Sequence, residues 1–162
     1  MHQSDGSFLS SVDENTSGYS IEVTGAELLS HDEYIQKYGL DESKINGSLD
    51  TKSLVCLEIT VHNDDNSDGG IFLFSCDLVP ERKNTYYIPD TWLWAESEQQ
   101  VSDGSTRYLK IAPNSTYTVH VPYKNNIYDE ENLTEYKTPI TDTSFDLILS
   151  NSPVRKIVHI DL

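Results

Sequence analysis

Eight residues, Leu54–Val61, constrain the fold more than any other stretch of this chain. Val55, Leu57, Ile59 and Val61 fall on one side of an extended backbone, and Cys56, Glu58 and Thr60 on the other. An apolar period of two carried by β-branched residues predicts a strand with one face in a core. The strand runs into His62-Asn-Asp-Asp-Asn-Ser-Asp-Gly-Gly70, too polar and turn-prone to continue any regular element. A second apolar run, Ile71–Leu78, follows at once and reads as the next strand.

The same reading extends in both directions. Tyr19–Thr24 alternates with Tyr19, Ile21 and Val23 inward, and Gly25 suits a bend or bulge. Ser30 and Glu33 have the spacing of a capping box, and Tyr34, Ile35 and Tyr38 follow at helical spacing before Gly39. One short helix is therefore expected over Asp32–Tyr38, lying against a sheet edge. Further strands are expected at Thr85–Ile88, Thr91–Ala95, Tyr108–Ile111, Thr116–Val121 (ended by Pro122), Phe145–Leu149 and Val154–Leu162. Residues 124–142 show no steady period and read as a long surface excursion. Short alternating strands separated by turn signals describe an all-β antiparallel sandwich with Greek-key connections.

At 162 residues the chain suits one domain able to bury a core without metal or disulfide staples. Residues 1–18 are mostly polar and small, and read as a flexible tether; residues 19–162 form the domain. A tether opening so abruptly is what a fragment stripped of an export or anchoring signal would show, and a native flexible terminus has the same composition. The balance of 27 acidic against 11 basic residues gives a formal net charge of −16. Such a field repels phosphate backbones and anionic lipid, so nucleic acid is not an expected partner. It also disfavours self-association, and a monomer is expected.

Two stretches carry candidate chemistry. Asp64, Asn66 and Asp68, followed by Gly69, place oxygen ligands at alternate positions like the opening of a calcium loop. The twelfth position is Ser75 rather than a bidentate Glu, and the alternative is a polar turn with no ion. Trp92 and Trp94, with Tyr86 and Tyr87 close by, have the makings of an aromatic platform for a sugar ring, or of core filling. Cys56 and Cys76 face each other if their strands form a direct hairpin, which permits a disulfide. If the strands lie in opposite sheets, both are small buried thiols, and the sequence leaves both open. The histidines show no metal-ligand spacing, and no serine sits in a nucleophile elbow, so no enzyme and no obligate cofactor is expected.

The strand Leu54–Val61 ending in His62-Asn63, the turn Leu109–Thr116 leading into Tyr117–Val121, and the late strand Phe145–Leu149 together resemble an uncharacterised family of immunoglobulin-like domains. Its members occur in surface lipoproteins and secreted proteins of Gram-positive bacteria. The resemblance implies an immunoglobulin-like sandwich, extracellular or anchored to the cell surface, with membrane contact only through a lipid anchor upstream. It also implies a non-catalytic binding or accessory role toward a surface protein or glycan, or the role of a structural spacer.

Overall fold

A computed structural model describes residues 16–41, 43, 52–81, 86–90, 93, 109–125, 139–150 and 156–162. Strand β1 spans Tyr19–Ser30, helix α1 His31–Tyr38, and β2 Ser53–Asn63. The remaining strands are β3 (Asp77–Pro80), β4 (Tyr87–Pro89), β5 (Ser115–Asn125), β6 (Ser144–Ser150) and β7 (Lys156–Asp161). All seven join one antiparallel sheet in the order β1-β2-β5-β4-β3-β6-β7. Its two ends approach each other along Val23–Ala26 of β1 and Val158–Asp161 of β7, so the sheet is nearly closed. The chain is thus mostly antiparallel β with one short helix.

The alternation of β2 sets the core. Val55, Leu57, Ile59 and Val61 are wholly buried and pack with Val119, Val121 and Tyr123 of β5. Leu78, Phe145, Leu147 and Ile160 from the other half of the sheet complete the same cluster. The opposite face of β2 is covered as well, at its start only. There Leu54 and Cys56 lie beneath Tyr34 and Ile35 of α1, with Leu93. Beyond Leu57 the outer face is solvated, and Glu58, Thr60 and His62 stand on it.

Local signals place α1. The Ser30 hydroxyl accepts from the Glu33 amide at 3.2 Å, and the Glu33 carboxylate accepts from the Ser30 amide at 2.7 Å. Gly39 closes the helix at φ 62°, a conformation open to glycine without a Cβ clash. The helix lies over the outer face of β1 and β2, rather than beside an edge, because Tyr34 and Ile35 have the apolar Leu54–Cys56 patch to cover. Val23 and Gly25 bracket the expected bulge: Ile59 opposes Val23 and Glu58 opposes Gly25. A Cβ on Gly25 would meet the Glu58 Cβ at 3.3 Å.

Three expectations need correction. Ile71–Leu78 is not one strand: Ile71 makes a single bridge to Leu109, Leu73–Ser75 is a 3₁₀ turn, and only Asp77–Pro80 enters the sheet. This segment crosses from β2 to the far half of the sheet, and Leu73 and Cys76 reach the core at a spacing of three. Pro122 does not end its strand. Its carbonyl accepts from the Asp90 amide at 2.7 Å, so the missing N–H points toward the finished end of β4 and not toward β2. Finally, Leu93 is helical and buried, its amide donating to the fully buried Asp90 Oδ1 at 3.2 Å. Asp90 Oδ2 in turn pairs with Lys124 Nζ at 3.0 Å. Trp92, Trp94 and the rest of that predicted strand lie outside the described residues.

The burial contrast gives a measurable ranking. Ile59→Ala should lower the unfolding free energy by about 2–5 kcal/mol in urea titrations, because a filled core position is emptied. Ser30→Ala, at an exposed helix cap, should cost about 1 kcal/mol.

Candidate functional site

The turn after β2 is built around two buried amides, Asn63 and Asn66. Asn63 Nδ2 donates to the carbonyls of Asn66 and Ile111, each at 2.8 Å, and its Oδ1 accepts from the Asn66 amide at 2.9 Å. Asn66 Oδ1 accepts from the amides of Asp68 (2.9 Å) and Gly69 (2.6 Å), while Nδ2 donates to the Ser17 carbonyl at 2.8 Å. The Tyr19 hydroxyl joins the group, accepting from the Ile111 amide at 3.3 Å. Gly70 is pressed against the next segment: a Cβ there would lie 2.9 Å from the Leu109 carbonyl oxygen.

Of the three calcium candidates, Asn66 therefore turns its oxygen into the turn, and Asp64 and Asp68 face solvent. Among the described residues no group of three or more His, Cys, Asp or Glu side chains converges as a metal site. The aromatic candidates Trp92 and Trp94 lie outside the described residues. Cys56 and Cys76 are both buried, and no disulfide joins them. Their strands form no hairpin; β2 pairs with β1 and β5, so Cys56 lies under α1 and Cys76 in the main core.

A site the sequence reading missed lies where the sheet fails to close. No ladder joins β1 to β7 among the described residues, and this leaves the gap. Among the described residues every pairing is antiparallel and the strands number seven, so the outermost, β1 and β7, run in the same direction. They converge at Val23–Ala26 and Val158–Asp161 and diverge toward Tyr19 and Lys156. The divergence opens a cleft of about 510 Å³ lined by Tyr19, Ile21, Ile71, Phe72, Cys76 and Leu149, with Thr16, Ser20, Ser75 and Lys156 at its rim. Burial, and after it the charge of Asp77, pushes the Cys76 thiol up to about 12, so it lines the cleft as an apolar, protonated group.

Both cleft walls present strand edges. The Asp64 amide donates to the Gly18 carbonyl, so alternate residues of β1 bond to β2 and the intervening Ile21 and Val23 aim their backbone groups at the gap. On β7 the Leu162 amide donates to the Thr143 carbonyl, which directs Ile157, His159 and Asp161 outward in the same way. Leu28, Ile157 and Leu162 are among the exposed large apolar side chains, and all three sit on or beside these edges. Ile157 is 49 % exposed. The available signal was Ile157 itself, an apolar residue on the wrong side of an otherwise alternating strand.

His159 organises the outer face beside the gap. Its Nδ1 lies 3.0 Å from Asp146 Oδ1, and its Nε2 3.3 Å from Ser144 Oγ and 3.5 Å from Asp161 Oδ1. The Asp146 hydrogen bond, reinforced by the charges of Asp161, Asp146 and Glu81, raises the imidazole above its ordinary range. On the neighbouring outer face, Thr24 donates to Glu58 at 2.7 Å and His120 sits 3.3 Å from the same carboxylate, which holds Glu58 below the usual carboxylate range.

Three predictions follow the geometry of these groups. Asn63→Ala should cost about 3 kcal/mol, because it strands an amide and two carbonyls at a buried turn. With Asn66 already committed, the thermal midpoint should be equal in calcium and in chelator; a calcium-dependent rise would make Asp64 and Asp68 ligands. For His159, a pKa raised by folding means stabilisation that is complete at acid pH and lost as pH climbs through the folded value. Melts at about pH 5.5 and about pH 8.5 should therefore show the wild type's advantage over His159→Gln only in the acid condition.

No curated protein and no solved structure matches the chain. The match that exists is at the family level and spans residues 3–156: the chain belongs to the family described as Domain of unknown function (DUF5028).

Proposed function

We propose that this chain is a non-catalytic binding module of a bacterial surface or secreted protein, acting as a monomer outside the cell on a protein or glycan. The observation that carries the reading is the cleft of about 510 Å³ between the edges of β1 and β7, in which apolar and polar surface are mixed in nearly equal measure. Concave sites of this size that combine apolar walls with polar groups are where ligands bind.

An immunoglobulin-like sandwich is the fold we assign to it. The order β1-β2-β5-β4 followed by β3-β6-β7 matches the A-B-E-D and C-F-G sheets of constant-type immunoglobulin domains. The two groups of strands are joined through one residue pair, Leu78 and Tyr87, and enclose one core between them. The Gram-positive surface location rests on the sequence resemblance. A non-catalytic role is favoured by the setting of Ser144, His159 and Asp146. They form a nucleophile-base-acid row, but on an exposed sheet face where Asp161, 3.5 Å from the imidazole, opposes a developing oxyanion.

A glycan is the second reading, favoured by a row of hydroxyls across three strands. Thr24, Thr60 and Thr118 lie within 3.5 Å and 3.0 Å of one another on the solvated face.

Fluorescently labelled protein added to intact Gram-positive cells tests the proposal. Saturable retention is expected, and Ser20→Trp, which fills the cleft rim from an exposed strand position, should reduce it about tenfold without shifting the melt. Retention that never saturates, or none, would sink the binding-module reading.

A further inference from the structure

Resting on that reading, we infer that the cleft takes a short, extended, cationic peptide segment of a partner protein, added as a strand between β1 and β7. Four observations lead there. The cleft is walled by two strand edges whose backbone groups, at Ile21 and Ile157, have no ladder partner among the described residues. An extended peptide satisfies such edges with main-chain hydrogen bonds and sends alternate side chains into pockets.

Direction is fixed by parity. Since β1 and β7 are parallel to each other, one strand antiparallel to both continues the alternation of the sheet. The convergence at Val23 and Val158 limits the insertion to the open end, so the added strand is short, with one apolar side chain entering among Ile21, Phe72 and Leu149.

Edge chemistry agrees. β7 carries Lys156, His159 and Asp161, the charges by which an edge avoids partners, but between Lys156 and His159 it shows Ile157 to solvent at the open end of the cleft.

Charge selects the class. At −16, a second copy of this chain is repelled, as is an anionic lipid surface. Residues 1–15 contain no Lys or Arg, so the chain's own leading segment lacks the complementary charge. A segment with Lys or Arg on its outward face meets the exposed Glu22 of β1 beside the open end and leaves Lys156 at the rim to donate to a peptide carbonyl.

The test is an NMR titration of the ¹⁵N-labelled full chain with three blocked octapeptides: alternating Lys-Val, alternating Glu-Val and alternating Lys-Pro. The Lys-Val peptide should bind about tenfold or more tighter than the other two, and slow hydrogen exchange at the Ile21 and Ile157 amides by about tenfold. Ile157→Pro removes an outward amide, sparing the β6 ladder and the core, and should weaken binding about tenfold. Should that variant unfold, Ser20→Trp in the same titration gives the same reading by blocking the cleft. Equal binding of Lys-Pro, or perturbation remote from both edges, overturns strand addition. Equal binding of Glu-Val overturns the cationic class, and no binding of any peptide overturns the inference altogether. In that last case, saturable retention on cells would leave the binding-module reading standing, and its absence would remove both.

Discussion

The fold hangs on the burial of β2, along its whole inner face and at the start of its outer one. Val55, Leu57, Ile59 and Val61 fill the interior, while Leu54 and Cys56 are roofed by Tyr34 and Ile35. With its inner face wholly dry, the strand cannot slip by one residue without pushing a polar side chain, Glu58 or Thr60, into the core. The register of β1 and β5 on either side follows from that. So does the position of α1, which has one apolar patch to cover and a capping box that starts it immediately after β1.

At the far end of β2 the organising force changes from apolar burial to hydrogen bonding. Asn63 and Asn66 tie together three stretches distant in sequence: Ser17–Tyr19, the turn to Gly70, and Ile111. The fully buried Asp90 does similar work near β4, held by Lys124 and capping Leu93. Such polar residues specify a fold because each buried donor and acceptor has few acceptable partners.

Local rules made much of this legible. The period of two gave β1, β2, β5, β6 and β7, the Ser30–Glu33 spacing gave the helix, and Gly25 gave the bulge. What escaped was set by long-range geometry. Ile71–Leu78 is apolar at nearly every position, so nothing in its pattern separates a strand from a segment that crosses the core and turns through Leu73–Ser75. Pro122 reads as a stop unless one knows which neighbour its missing amide faces. The Asp64–Asp68 spacing was visible, but whether Asn66 looks outward to an ion or inward to the turn depends on Ser17, some fifty residues away in sequence. The cleft was invisible for the same reason, since no local signal says which strands end up at the borders of a sheet.

The parallel course of β1 and β7 has a mechanical side. The chain enters β1 at Tyr19, beside the start of β7, and leaves β7 at Asp161, beside Ala26. Entry and exit therefore lie at opposite poles of the domain. Tension applied along the chain runs lengthwise down the β1–β2 and β6–β7 ladders and loads their hydrogen bonds together in shear, instead of peeling them apart one by one. A domain threaded this way transmits a pull from one pole to the other with its strands acting as the cable.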